Sequence, residues 1–349
     1  MVGGVLVGSL SVLLLNNLTT SNKSYGGGFR RSVALDFLQE KRVLDIKFDS
    51  YYISGTTGGR IYLGNMVAPL HMLSVGKKLD TASHRLKIVG NSKIARKALH
   101  VMVDSNSVFA VERLTPAILR GSTTDLNMTM IEMEKSIFLA NPVVSRCGKV
   151  FVKTYASDSH KSLLSKIVLN PASRQDCDIL LKQIDGIFCT DGMLIYNAPV
   201  DRLIYVYFYR NSFISLDTNL NIKYTARTID TVTKVHFQVG KISSENTFTL
   251  SSPPSQVNKK SFAFKDWVFI NSALKADNET ESKFRSNSII DVYASKDGRY
   301  CFSFYLPDID GFRLKDFAVT DNALIAIHGN FLVVYSIRYP AIVAYHEQR

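Results

Sequence analysis

One short pattern returns along this chain and constrains its fold more than any other feature. Runs of four to six apolar and aromatic residues in strand-like order, each close to a Gly, Asn or Asp turn, recur at least six times. They begin near Tyr51 (Tyr51-Tyr52-Ile53), Val108 (Val108-Phe109-Ala110-Val111), Val150 (Val150-Phe151-Val152), Leu203 (Leu203-Ile204-Tyr205-Val206-Tyr207), Trp267 (Trp267-Val268-Phe269-Ile270) and Leu324 (Leu324-Ile325-Ala326-Ile327). Their spacing, roughly 40 to 65 residues, is the scale of one four-stranded propeller blade with variable loops. The expected fold is all-β: a β-propeller of six blades, with seven as the alternative. The chain's 349 residues suit a single closed structure of this kind, since all-β rings run longer than the usual domain.

The turns between the runs carry hairpin chemistry. Gly58-Gly59 separates strands expected at 48–54 and 60–64, and 70–75 follows as a third. Further strands are expected at 99–103, 108–112, 117–120, 149–155, 163–169, 187–189, 193–196, 203–209, 213–216, 235–241 and 247–250. The last stretch gives 262–270, 289–293, 300–306, 314–319, 324–328 and 331–337, punctuated by Asp297-Gly298, Asp321-Asn322 and Gly329-Asn330. No long segment sustains a 3.6-residue period, which argues against parallel α/β folds. Residues 45–338 are expected to form the propeller, 339–349 a C-terminal tail, and 31–42 a short helix or a lead-in strand.

The first 30 residues read differently. Residues 2–15 are apolar and uncharged, and a polar, Gly-rich stretch, 16–28, follows. The run suits a signal h-region and is short for a spanning helix, which needs about 20 residues. No Lys or Arg precedes it, whereas Lys23, Arg30 and Arg31 follow. Taken literally, that order would leave the C-terminal part in the cytoplasm; a basic n-region upstream of Met1 would remove the conflict. The reading adopted is an apolar anchor and flexible linker over 1–30 that places the propeller on the exported, periplasmic side of a membrane.

The net charge of +12 invites anionic partners. The cations are dispersed, however. The densest groups, Arg85-Leu86-Lys87 through Arg96-Lys97 and Lys259-Lys260, fall short of the basic runs that mark nucleic-acid segments. No nucleic-acid partner is expected. The four cysteines, Cys147, Cys177, Cys189 and Cys301, include no C-x-x-C pair and read as small buried hydrophobes. Cys177 and Cys189 flank an expected hairpin and would pair only in an oxidising compartment with suitable geometry.

The C-terminal third resembles uncharacterised bacterial six-bladed β-propeller proteins, exported or membrane-anchored. The residues that carry the resemblance are Ile290-Asp291-Val292-Tyr293, Tyr300-Cys301-Phe302-Ser303-Phe304-Tyr305-Leu306-Pro307, Phe317-Ala318-Val319 and Asn322-Ala323-Leu324-Ile325-Ala326-Ile327. Arg60-Ile61-Tyr62-Leu63-Gly64-Asn65 with Ala68-Pro69-Leu70-His71 looks like the first blade of such proteins. The resemblance implies a fold and an exported location, and it transfers no catalytic residue.

Chemistry is sparse. None of the seven His (His71, His84, His100, His160, His236, His328, His346) forms H-E-x-x-H or H-x-H. His71 is expected to face the central channel, and His236 and His328 to lie in strands, where lone histidines usually serve structure. Asp49, Asp104, Asp230, Asp291 and Asp316 lie near strand ends, where carboxylates around an axis hold Ca²⁺ or do acid–base work, or simply bond backbone. Asp308-Ile309-Asp310-Gly311 reads as a turn. There is no Gly-x-Ser-x-Gly elbow, and Gly55-Thr56-Thr57-Gly58-Gly59 lacks the Lys of a P-loop. Trp267 and the Tyr205/Tyr207 face are read as core. No catalytic or cofactor-binding residue is assigned, no cofactor is expected, and no metal-ligand set is identified. The reading favoured is a non-enzymatic binding or scaffold module taking a protein, peptide or glycan at the propeller mouth, with the membrane engaged through the N-terminal segment. The rival is a propeller-fold hydrolase or lyase with a metal at the central channel.

Overall fold

A computed structural model describes residues 27–340 apart from 91–98, 113–116, 132–137, 146–147, 157–160, 237–238, 243–246 and 251–253; for 239–242 and 247–250 it describes the backbone. Its first strand, β1 (Leu38–Asp45), is followed by blade 1: β2 (Tyr51–Thr57), β3 (Arg60–Asn65), β4 (His71–Val75) and β5 (Thr81–Arg85). Blade 2 is β7 (Leu99–Asp104), β8 (Ser107–Glu112), β9 (Ala117–Ser122) and β10 (Asn127–Ile131), with β6 (Lys87–Val89) added in parallel on β10. Blade 3 is β11 (Ala140–Val144), β12 (Val150–Tyr155), β13 (Ser162–Leu169) and β14 (Ala172–Cys177). Blade 4 is β15 (Gly192–Asn197), β16 (Arg202–Tyr207), β17 (Phe213–Asp217) and β18 (Ile222–Ala226). A hairpin, β19 (Val239–Ile242) and β20 (Thr247–Leu250), intervenes before blade 5: β21 (Asn258–Phe264), β22 (Trp267–Ser272), β23 (Asn287–Ala294) and β24 (Tyr300–Pro307). A short helix, α1 (Glu281–Arg285), lies between β22 and β23. Blade 6 is β25 (Leu314–Val319), β26 (Ala323–His328) and β27 (Phe331–Ile337), and its outermost strand is β1.

The six inner strands β2, β7, β11, β15, β21 and β25 contact one another in cyclic order, so the ring is six-bladed and closed. Six apolar cores lie one between each pair of neighbouring blades. The second strand of a blade sends alternate side chains into both flanking cores. In β16, Leu203, Tyr205 and Tyr207 face blade 3 while Ile204 and Val206 face blade 5. This explains the recurring sequence motif: five of the six runs are second strands, buried on both faces. Tyr205 and Tyr207 are core, as expected.

Ring closure comes from the N-terminal strand, which pairs antiparallel with β27 from Leu38↔Ile337 to Asp45↔Phe331. Before it, the chain forms a strap over blade 5. Gly28 N–H donates to both Asp277 carboxylate oxygens, Phe29 is buried, and Ser32 to Ala34 bond Ser303 on the outer edge of β24. Arg31 enters the interior completely. Its Nε and Nη2 bond Asp291 at 2.7 and 3.1 Å, and its Nη1 bonds Glu279 Oε2 at 2.6 Å and Leu274 O at 3.1 Å. Burial opposes the guanidinium charge, but Asp291 and Glu279 outweigh it and hold the group protonated above its ordinary value. Residues 27–45 thus belong to the propeller body, which begins before residue 45, and the lead-in strand is the alternative realised. Residues 1–26, with the apolar run, lie outside the described residues.

Several local expectations change. The run 262–270 is two strands, because Lys265 takes a left-handed φ of 51° and turns the chain at Lys265-Asp266. Residues 187–189 run into a tight 3₁₀ turn rather than forming a strand. Gly58 and Gly59, at φ 58° and 72°, make the expected two-residue hairpin.

Candidate functional site

Alternation of strand direction sorts the connections onto two faces. The inner strands begin on one, the mouth face, together with the loops from each second to third strand and the crossings between blades; the tight hairpins after the inner strands lie on the other. The connections 178–191, 208–212 and 273–286, and the segment 227–236 that follows β18, are all on the mouth face.

At the axis, Asp316 on β25 ties three inner strands together. Its Oδ2 accepts from Ile53 N–H at 2.9 Å, and Lys260 Nζ on β21 lies 3.6 Å from Oδ1. Beside it burial lowers the Lys315 ammonium pKa. Asp49, exposed just before β2, acts with Asp316 on the Lys315 charge; Asp104, Asp230 and Asp291 lie elsewhere. Asp104 ends β7 at the opposite face, and Asp291, on the third strand β23, is engaged by Arg31. Asp230 lies in the loop after β18, where burial first, and then the like charge of Asp291, raise its pKa.

The histidines are also dispersed. His71 lies on β4, the third strand of blade 1, and is exposed; it does not face the channel, because the blade begins twenty residues earlier at Tyr51. His236 lies outside any strand, and His328 ends β26, buried, with Nδ1 3.0 Å from Phe312 O. His84 Nε2 meets Ser74 Oγ at 2.8 Å, and His100 stacks on Tyr52 at 4.5 Å. His160, His346 and Cys147 lie outside the described residues. Among the described residues, no three His, Cys, Asp or Glu converge as metal ligands. Cys177 and Cys189 are free thiols, so the pairing considered from sequence is absent; Cys189 Sγ instead accepts backbone N–H from Gln183, Ile184 and Gly186 at 3.3–3.5 Å.

Two features of the mouth face were not legible in sequence. The first is a distribution: of the large apolar side chains that stand exposed, Phe48, Met66 and Val67 beside blade 1, Phe138 at blade 3, Leu181 and Ile184 before blade 4 and Phe312 at blade 6 all lie here. Val67 is 83% exposed, Phe48 63% and Leu181 61%. The second is a cluster at the junction of blades 3 and 4. Lys153, buried on β12, pairs with Asp191, whose carboxylate remains 32% exposed. Lys153 Nζ lies 5.3 Å over the Tyr155 ring, and burial first, then the Asp191 charge, raise the phenol pKa values of Tyr155 and Tyr209. Phe138 packs on Tyr155 at 5.3 Å.

The loops holding these groups are bonded to each other. Arg210 lies 3.7 Å over the Tyr207 ring and donates to Leu181 O at 2.7 Å, while Leu181 N–H donates to Tyr207 Oη at 3.0 Å. Gln183 bonds Thr233 O and Val235 N–H, both at 2.9 Å. The platform is therefore built before any partner arrives, which lowers the ordering cost of binding.

No protein-family model matches this chain, and no curated protein matches it. Solved structures do. A member of the DUF4221 family from Bacteroides vulgatus aligns with 88% of this chain and 99% of its own at 11% identity and a TM-score of 0.56. Virginiamycin B lyase from Staphylococcus aureus aligns with 86% of this chain and 99% of its own at 8% identity and a TM-score of 0.51. The likeness is one of fold. The six-bladed ring agrees with the fold that the resemblance implied, and the chemistry of this chain has to be read from its own residues.

Proposed function

We propose that this protein is a recognition module whose mouth face docks a protein or peptide partner. The observation that carries the reading is the concentration of exposed apolar side chains on that face, with the loops before and within blade 4 hydrogen-bonded to one another. An exposed apolar patch with polar surroundings marks an interaction surface. Phe48, Met66 and Val67 supply apolar anchors, and Phe138, Tyr155 and Tyr209 supply aromatic faces beside the Asp191 carboxylate, which suits a basic or hydrogen-bond-donating side chain on the partner. The apolar run at residues 2–15 supports a tether that holds this face on the exported side of a bacterial membrane. Protease added to cells with opened outer barriers tests that placement: protection of full-length chain in the cytoplasm would refute it.

A displayed peptide library, selected on the purified protein, tests the docking face. Enriched peptides are expected to lose about tenfold or more in affinity on Phe48→Ser/Val67→Ser and on Asp191→Asn, and to bind the opposite-face variant Val200→Ser unchanged. Peptides indifferent to the mouth variants, or binding only to carbohydrate arrays, would defeat the proposal.

A further inference from the structure

The face opposite the mouth carries a separate cleft of about 420 Å³ at the seam where blade 6 meets blade 1. That volume lies in the range of small-molecule sites. Its floor is apolar, with Ile61 of β3, Leu79 of the β4–β5 turn and Ile325 of β26. Its rim is cationic, with Arg42 of β1, Arg60 of β3 and Lys77 before Leu79. These three cations are 18 and 17 residues apart in sequence, and the propeller seam brings them to one opening.

The charges do not cancel within the cleft. Arg60 Nη1 pairs with Asp80 at 2.8 Å, and Asp321, the acid of the lining, pairs with Lys265. Arg42 spends one of its five N–H donors on Lys77 O, at 2.6 Å. Two rim cations, Arg42 and Lys77, thus have no carboxylate partner among the described residues. An apolar floor under a cationic rim is complementary to a ligand with an apolar chain and one anionic end.

We propose that this seam cleft binds an alkyl carboxylate, its chain on the Ile61, Leu79 and Ile325 floor and its carboxylate against Arg42 and Lys77. The site is independent of the mouth face. Because Arg42 belongs to the closing strand β1 and Ile325 to β26 of blade 6, an occupant touches both sides of the ring closure. Binding to the folded ring alone raises its stability by mass action.

The test uses the full chain and decanoate below its micelle concentration, followed by calorimetric titration and thermal melting. Decanol carries the chain without the charge, and acetate the charge without the chain. Saturable decanoate binding that raises the melting temperature is expected, weaker by about tenfold or more for decanol, for acetate and for the R42Q/K77Q variant. Both substitutions are at exposed positions, so folding is retained, and Ala323→Phe, which adds bulk to the lining, is expected to abolish binding by a second route. Met66→Ser, at an exposed mouth-face position, should leave decanoate binding intact, which separates this site from the docking surface. Absence of saturable binding, equal affinity for decanol, or unchanged affinity in R42Q/K77Q would overturn the assignment.

Discussion

Arg31 carries its charge into the interior because two carboxylates are placed there to receive it. Ser303 Oγ also bonds Asp291 Oδ1 at 2.6 Å, and Tyr305 Oη bonds Glu279 Oε1 at 2.9 Å, so the acids are satisfied on every side. Removing the cation alone leaves both buried and unpaired. Arg31→Met should therefore destabilise by about 3–5 kcal/mol, measured by urea unfolding, while the triple variant with Glu279→Gln and Asp291→Asn should recover most of that loss. Nothing in the sequence separates Arg31 from Arg30, because the partners lie 248 and 260 residues away. His328 makes a second residue-scale case. Burial holds its imidazole below the ordinary value of 6.5, against the opposing pull of Phe312 O and Asp308. A depressed histidine stabilises the fold when neutral, so its contribution is present above that value and is lost as pH falls through the folded pKa. His84 is depressed likewise. Melting temperature should drop between about pH 7.5 and about pH 5, and His328→Gln should flatten that slope. A variant as steep as the parent would show that His328 is not a source of it.

At the scale of elements, what sequence reveals depends on burial. The second strands were legible because both faces are covered: β8, β16, β22 and β26 are buried at five of six positions each. The outer strands β5, β14 and β18 were not, since Thr-Ala-Ser-His-Arg or Ala-Ser-Arg-Gln-Asp-Cys faces water and shows no apolar alternation. The break inside 262–270 was hidden because Lys265, not Gly or Asn, takes the left-handed turn position. Contacts between inner strands are equally invisible in sequence. A Cβ on Gly55 of β2 would stand 2.0 Å from Val103 O on β7, so only glycine lets blades 1 and 2 meet there. Gly55→Ala should cost about 1–3 kcal/mol, read from chemical denaturation, and a neutral result would mean the blades part without penalty. Trp267, read from sequence as core, is half-buried at the end of blade 5, stacked on Tyr339 at 5.4 Å and edge-on to Phe302 at 6.2 Å. Phe37 in the strap is fully buried against Phe302 and Phe304, at 5.4 and 4.3 Å. Phe37→Ala should lose about 3–5 kcal/mol and Trp267→Ala less, the reverse of what the size of the side chains alone would suggest.

For the whole molecule, the ring ties local and distant order together. Each blade buries its faces only against two neighbours, so the six cores are complete only when the seam is closed. Closure depends on β1, an edge strand with charged residues at Glu40, Lys41 and Arg42 and little apolar surface of its own. The same seam carries the cleft rimmed by Arg42, and the strap before it holds blade 5 through Arg31. Stability should therefore be cooperative across all six blades and sensitive to a strand that buries little itself. Adjacent residues in β1 point their N–H groups alternately toward and away from β27, so Val43→Pro with Leu44→Pro removes a ladder bond whichever residue faces the partner. Hydrogen exchange followed by mass spectrometry should then show protection falling together in blades 1, 5 and 6 and, by propagation around the ring, in blades 2 to 4. Loss confined to blade 6 would mean that the remaining five blades stand without closure, and that the ring is a row of independent neighbours rather than one folding unit.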